Sequence, residues 1–162
     1  MVIRNAKVED ARGIAHVHVQ SWKTTYRGIV PQTYLDGLDE TTRTERWVKI
    51  ITEVNNTKVA TNDEGKVVGF VNYGRSERYA ADGQVYALYL LESHQRRGIG
   101  AELLEAAKTE FQREGWHTYA VEALVDNPSM AFYRNNHPVH YLLSSFTIHG
   151  KVLREWVMTF NV

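Results

Sequence analysis

The residues best suited to binding chemistry lie in one segment, between Leu88 and Ala101. An apolar stretch that predicts a buried strand leads through Glu92-Ser93-His94 into Gln95-Arg96-Arg97-Gly98-Ile99-Gly100-Ala101, where a helix is predicted to begin. A helix N-terminus presents unpaired N–H groups and a positive dipole end, and both favour an anion. Glycines let a bulky group approach the backbone. The segment therefore predicts a diphosphate site, although the glycines could also serve only a tight strand-to-helix turn.

Other chemistries find little support in the chain. A dinucleotide fingerprint would need glycine where Leu103 stands, and the G-x-x-x-x-G-K-[ST] pattern of a P-loop is absent. There is no cysteine, no G-x-S-x-G elbow and no HExxH spacing, so neither an acyl-enzyme route nor a metal site is expected.

Length and composition limit the number of domains, the kinds of partner and the location that the chain can have. The 162 residues predict a single domain, 1–162, with 43% hydrophobic and 23% charged residues. Lys plus Arg equals Asp plus Glu at 19 each, which argues against nucleic acid or an anionic membrane as partner. No apolar run approaches the ~20 residues of a membrane span. The Met1–Arg4 start lacks the form of a signal peptide, and together with the absence of cysteine this favours a cytoplasmic protein.

The spacing of apolar residues predicts the strands and helices that position the segment from Leu88 to Ala101. Apolar spacing predicts strands and helices in the order β-α-α-α-β-β-β-α-β-α-β-β. This order indicates a mixed α/β sheet (an α+β arrangement) in which Gln84–Leu91 is the central strand, followed by a helix over Gly98–Glu114. The chain is expected to close with a hairpin that turns at His149-Gly150-Lys151, and an edge strand or this hairpin could mediate a homodimer.

The spacing Gln95-x-x-Gly98-x-Gly100 after an apolar strand resembles the CoA-binding motif of the GNAT acyltransferase superfamily. The resemblance extends over nearly the whole chain, from Ile3-Arg4 and Trp22 to Asp126-Asn127-Pro128 and Ala131-Phe132-Tyr133. It implies the GNAT-like acyl-CoA acyltransferase fold, with splayed central strands, and acetyl-CoA as acyl donor.

The resemblance also implies a set of CoA-binding residues. Backbone amides of the loop would hold the pyrophosphate, and backbone groups of the central strand would pair with the pantetheine arm and the acetyl carbonyl. Asn127 would contact CoA, or it could be only the N-cap of the next helix. The implied cofactor-binding residues are Leu88, Leu90, Gln95, Arg96, Arg97, Gly98, Ile99, Gly100, Ala101 and Asn127.

Two catalytic residues are expected. Tyr133 matches the tyrosine that, in many family members, protonates the departing CoA thiolate, but it could also be a packing residue. Glu122, a carboxylate in an otherwise apolar strand, is the expected base, unless it faces solvent or pairs with an arginine. Glu92 is the second candidate. The family's glycine after Tyr133 is missing, and Asn136 could take its left-handed position.

Together these features predict direct acetyl transfer from acetyl-CoA to an amine of a small molecule or peptide. The alternatives are an inactive acyl-CoA-binding sensor or structural module and, more remotely, a nucleotide-binding module. The aromatic residues Trp22, Tyr26 and Tyr34 could line an amine-binding site or could only cover the hydrophobic face of the sheet. The sequence does not name the acceptor.

Overall fold

The computed structural model describes residues 1–162 and contains one seven-stranded sheet flanked by five helices. The strands run in the spatial order β1-β2-β3-β4-β5-β7-β6. They are β1 Val2–Asn5, β2 Thr57–Thr61, β3 Val67–Arg75, β4 Gly83–Leu90, β5 Thr118–Leu124, β6 His140–Ile148 and β7 Lys151–Asn161. The helices are α1 Ala11–Thr25, α2 Gln32–Asp36, α3 Glu40–Glu53, α4 Ile99–Arg113 and α5 Met130–Arg134. The predicted element order and the mixed α/β class are confirmed.

The sheet consists of two antiparallel halves that meet at one parallel pair. β1 to β4 pair antiparallel in sequence order, and β5, β7 and β6 form the second antiparallel half. Only β4 and β5 are parallel, because α4 returns the chain to the same end of the sheet between them. None of the helices combines the length and the apolar character needed to cross a membrane.

The parallel pair is short, and the two strands then separate. β4 and β5 pair only over Gly83–Val85 with Tyr119–Val121, whereas both strands continue beyond these residues. The amide of Leu91 donates to the carbonyl of Val68 on β3 at 2.9 Å. Because backbone groups alternate between the two edges of a strand, the amides and carbonyls of Leu88 and Leu90 face the gap. The expected splay of the central strands is confirmed.

Each face of the sheet carries its own helices and its own core. α1 and α3 cover one face, where Ile14, Val17, Trp47 and Ile51 pack on Phe70. α4 and α5 lie on the opposite face, in a core that contains Leu103, Leu104, Ala107, Phe111, Met130 and Tyr133. α2 extends the first face toward β5 and β7 through Tyr26, Val30, Leu35, Leu124 and Leu153. The gap between β4 and β5 is thus lined from both faces.

The turn after α5 differs from the sequence expectation. Asn136 does not take the left-handed conformation; His137 does, with φ 58°. The Asn136 side chain instead donates to the carbonyl of Phe132 at 2.8 Å and so caps the end of α5. A side-chain amide can satisfy an open helix carbonyl as a left-handed residue does, which moves the turn one residue along the chain.

Candidate active site

A cavity of about 450 Å³ occupies the gap between β4 and β5. Its walls come from both strands, from the C-terminal half of α1, from the N-terminus of α4 and from the segment around α5. All but two of the residues predicted from sequence line it: Leu88, Leu90, Gln95, Arg96, Gly98, Gly100, Ala101, Glu122, Asn127 and Tyr133. The splay therefore gathers residues that are up to 45 positions apart in sequence, from Leu88 to Tyr133.

The loop before α4 leaves its backbone open toward this cavity. Arg96 and Gly98 both have left-handed φ values, 59° and 82°, and no side chain caps the helix. The first helical bond runs from the Glu102 amide to the Gly98 carbonyl at 3.1 Å, so the preceding amides have no helical acceptor. Left-handed residues that turn successive N–H groups to one side form an anion-binding concavity. The loop can therefore bind phosphate through its backbone.

Two of the predicted residues in the loop before α4 do not line the cavity. Ile99 is buried in the core under α4. Arg97 is exposed and borders a separate depression together with His94 and Asp63. Of the two loop arginines only Arg96, whose φ is 59°, lines the cavity.

The carbonyl of Leu90 is held by two side chains. Ser21 on α1 donates to it through Oγ at 3.1 Å, and the Gln95 side-chain amide donates through Nε2 at 3.3 Å. No side chain bonds the backbone of Leu88, which remains open to the cavity. Ser21 was not among the predicted site residues, although a serine on the apolar face of a helix is the signal that could have indicated it.

Tyr133 lies at the cavity wall with its ring buried. It is 7% exposed and packs edge-on against Phe132, with ring centroids 5.2 Å apart. Its hydroxyl has no hydrogen-bond partner in the protein and borders the cavity. Burial, with smaller contributions from Tyr89 and Tyr119, raises the pKa of Tyr133 well above its usual range. The phenol is therefore protonated at neutral pH and can donate.

Glu122 lines the cavity where β4 and β5 begin to separate, one residue beyond Val121, the last β5 residue that pairs with β4. Its carboxylate accepts from the Tyr79 hydroxyl at 2.6 Å and from Gln84 Nε2 at 3.5 Å. The Arg78 guanidinium lies 3.9 Å away and is largely exposed. The alternative candidate, Glu92, is exposed and does not line the cavity. Tyr79 lies in a loop whose sequence gave no indication that it would reach Glu122.

Asn127 connects the two sides of the cavity. Its Nδ2 donates to the Tyr26 hydroxyl at 3.3 Å, and its Oδ1 accepts from the Ser129 amide at 2.8 Å. The second bond forms a side-chain turn before α5, so Asn127 is not the N-cap, which is Ser129. Tyr26 alone of the three aromatic candidates lines the cavity; Trp22 and Tyr34 cover the sheet beside it.

Comparison with known proteins now identifies the family. A family model described as the acetyltransferase (GNAT) family matches residues 19–137, which is more than half of the chain. The matched region contains the α4 loop, Glu122, Asn127 and Tyr133. The chain belongs to the GNAT acetyltransferase family.

Relatives of this GNAT chain agree over nearly its full length. A Bacillus subtilis (strain 168) protein described as the uncharacterized N-acetyltransferase YuaI is 37% identical over 157 residues, which cover 96% of this chain and 90% of the relative.

Two solved structures share the fold. PaiA N-acetyltransferase of Thermoplasma acidophilum, solved in complex with coenzyme A, has a TM-score of 0.79 at 21% identity, covering 99% of this chain and 98% of its own. Ribosomal-protein-alanine N-acetyltransferase of Brucella melitensis has a TM-score of 0.77 at 19% identity and covers 100% of both chains.

Proposed function

We propose that this GNAT protein transfers the acetyl group of acetyl-CoA directly to an amine. The observation that carries the proposal is a single cavity that joins an uncapped helix N-terminus to a carboxylate, with the Tyr133 phenol on its wall. An acyl donor and an amine can meet there without a covalent enzyme intermediate. The lack of cysteine supports the same route.

The proposed acetyl-CoA site consists mainly of backbone groups that have no hydrogen-bond partner within the protein. The amides after Gly98 and the Arg96 side chain would bind the CoA pyrophosphate, which suits the charge of a helix N-terminus. The gap-facing groups of Leu88 would pair with the pantetheine arm as another strand would. The PaiA structure, solved with coenzyme A, supports this cosubstrate for a chain of the same fold.

The reaction requires three proton transfers: two from the amine nitrogen and one to the departing sulfur. An alkyl amine with a lysine-like pKa of about 10.4 is mostly protonated at neutral pH and must lose a proton before it attacks. Glu122 would accept that proton. The amine nitrogen then forms the new bond to the acetyl carbon and the carbon–sulfur bond breaks. The Tyr133 hydroxyl would protonate the thiolate, and the second proton of the attacking nitrogen would pass to the resulting tyrosinate, directly or through water. A backbone N–H of the splayed strand would stabilise the developing oxyanion.

An acyl-CoA-binding protein without catalysis is the alternative, and no contact in the cavity favours it. Both groups that the direct reaction needs line the cavity. The Tyr133 hydroxyl has no partner, and the only ion pair of Glu122 is a long one of 3.9 Å to Arg78, whose side chain is 71% exposed.

The first experiment is release of free CoA thiol from acetyl-CoA across a panel of amines, followed with a thiol-reactive dye. The protein has no cysteine, so it contributes no background. Amine-dependent release that falls in both Glu122→Gln and Tyr133→Phe supports the transferase. Saturable acetyl-CoA binding by calorimetry without release for any amine favours the binding-only protein. Absence of both release and binding overturns the proposal.

A further inference from the structure

Tyr86 lies opposite Glu122 where β4 and β5 begin to separate. The last parallel pair of the two strands joins Val85 to Val121, and the next residues on β4 and β5 are Tyr86 and Glu122. Both line the cavity. Because neighbouring strands of a sheet lie about 5 Å apart, the two side chains leave the backbone close together. The proposed reaction gives Tyr86 no role.

The side chains of Tyr86 and Glu122 lie on the same face of the sheet, which is the face that α1 and α2 cover. Leu124, two residues beyond Glu122, packs in the core of that face, and side chains two residues apart on a strand point the same way. For the same reason Gly74 on β3 shares the face of Phe70, which packs under α1. A Cβ added at Gly74 would lie 3.5 Å from Cε2 of Tyr86, so the Tyr86 ring lies over that glycine.

The Tyr86 ring is held in place although it is exposed. The register of β4 with β3 shifts at Tyr86, which has no partner on β3 and forms a β-bulge. Bulges commonly redirect a side chain beside a functional site. The Tyr86 hydroxyl donates to the carbonyl of Arg75, and the residue is 46% exposed. Since the hydroxyl is already bonded, the part of Tyr86 that can meet a bound molecule is the apolar ring.

Glu122 carries the only charge in this part of the cavity. Arg96, in the loop before α4, is the one other charged residue that lines the cavity. Arg78 lies 3.9 Å from Glu122, but its side chain is 71% exposed and does not line the cavity. Glu155 on β7 is the diagonal neighbour of Glu122 and does not line it either. An amine whose nitrogen contacts Glu122 would therefore have its carbon chain beside the Tyr86 ring and away from a second charge.

We infer that Tyr86 forms an apolar wall of the acceptor site, so that the protein prefers primary amines that carry an aryl group near the nitrogen. The inference rests on the proposed function, in which Glu122 receives the proton of the reacting amine. An aryl group can stack on the Tyr86 ring or meet it edge-on, and both rings lose contact with water, which favours such an amine over one with a short alkyl chain. Tyr86 is thus a specificity determinant and takes no part in proton transfer.

The test compares 2-phenylethylamine with ethylamine, which has the same two-carbon chain without the ring. Thiol release by the wild type is expected to give kcat/KM for 2-phenylethylamine at least about tenfold above that for ethylamine, or roughly 1.4 kcal/mol. Tyr86→Ala should bring the two within about threefold through a higher KM for 2-phenylethylamine. Tyr86→Phe should keep the preference because the ring remains. Tyr141→Ala, at an exposed position on β6 outside the cavity, is the matched control and should keep it too.

Three outcomes of the kinetic test overturn the inference. They are a wild-type ratio near one, an equal loss for both amines in Tyr86→Ala, and a loss of preference in Tyr86→Phe as large as that in Tyr86→Ala. Thermal unfolding reports whether each variant is folded.

A binding measurement separates this inference from the proposed function. Calorimetry of the two amines against the CoA-bound protein requires no turnover. If no amine is acetylated but 2-phenylethylamine binds the wild type more tightly than ethylamine does, and Tyr86→Ala removes the difference, the aromatic wall stands and the transferase fails. If amines are acetylated but 2-phenylethylamine binds the wild type and Tyr86→Ala alike, the transferase stands and the inference is overturned.

Discussion

The Tyr79 hydroxyl donates a hydrogen bond of 2.6 Å to the carboxylate of Glu122. Tyr79 belongs to the loop between β3 and β4, and Glu122 belongs to β5, so the contact fixes the carboxylate from outside its own strand. The loop is braced internally, because Ser76 accepts from the Tyr79 amide at 3.3 Å and its own amide donates to Asp82. A bond of this length to a carboxylate is charge-assisted and strongly orienting.

Tyr79→Phe tests this orientation. Removing the hydroxyl frees the Glu122 side chain to rotate, and we expect kcat/KM for the best amine to fall about threefold to tenfold. Glu122→Gln removes the proposed proton acceptor and should lower kcat/KM about a hundredfold or more. Steady-state thiol release measures both. Tyr79→Phe losses as large as those of Glu122→Gln would mean that the phenol acts in the reaction itself.

Tyr133→Phe tests the proposed acid. Loss of the hydroxyl should lower kcat at least about tenfold, or roughly 1.4 kcal/mol in the barrier, and leave acetyl-CoA affinity nearly unchanged because the ring still fills its site. Tyr141→Phe, at an exposed position on β6, is the matched control. Unchanged turnover in Tyr133→Phe would exclude the acid role.

Gly98→Ala tests the phosphate loop. A side chain at Gly98 meets nothing within 4 Å, but the φ of 82° makes any L-residue strained there by about 1 kcal/mol. Gly65→Ala is a matched control, since Gly65 has φ 78°, equally open space and a place in the β2–β3 turn. Both variants should lose similar stability in urea, and only Gly98→Ala should weaken CoA binding in calorimetry. Equal CoA affinity in the two variants would move the phosphate site elsewhere.

Glu155→Gln makes a prediction about pH and stability. The pKa of Glu155 in the folded protein is raised above its ordinary value of 4.5, so between the two values the folded state binds the proton more tightly than the unfolded state. Stability of the wild type is therefore lost as pH rises through that window. Glutamine carries no charge and escapes this loss. The stabilisation of Glu155→Gln over wild type in urea unfolding should grow between about pH 4 and about pH 7.

The other titratable groups near Glu155 determine which control variant the unfolding experiment needs. Glu122 and Arg78 are the charged groups that affect the pKa of Glu155, and Tyr26 and Tyr79 stay protonated over the range because burial raises their pKa values. Glu122→Gln in the same experiment separates the contribution of its charge. A stability difference that shrinks toward neutral pH would contradict the assigned environment of Glu155.

Several parts of the site could be predicted from local sequence. The strand, the loop Gln95 to Ala101 and the start of α4 depend on hydrogen bonds and periodicity within about a dozen residues, and the structure has each of them within a residue or two. Tyr133 and Glu122 were chosen by position in a motif and by a charge in an apolar strand. Both do line the cavity, while their catalytic roles remain predictions.

Other parts depend on contacts between residues far apart in sequence. Arg96 and Arg97 are adjacent residues of the same type, so the sequence does not distinguish them. In the structure only Arg96 lines the cavity, and Arg97 borders a separate depression. The bond between Ser21 and Leu90 spans 69 positions, and the bond between Tyr79 and Glu122 spans 43. No local pattern encodes such pairs, because they depend on how α1 and the β3–β4 loop pack against the sheet.

The order of the elements and the place of the candidate phosphate loop could be predicted from the sequence, since both follow from short-range backbone preferences. The size of the gap between β4 and β5 and the register that puts Glu155 diagonal to Glu122 depend instead on how distant segments of the chain pair and pack. A register shift of one residue would turn Glu155 to the other face of the sheet. The relative position of these two carboxylates therefore depends on strand pairing between segments far apart in sequence.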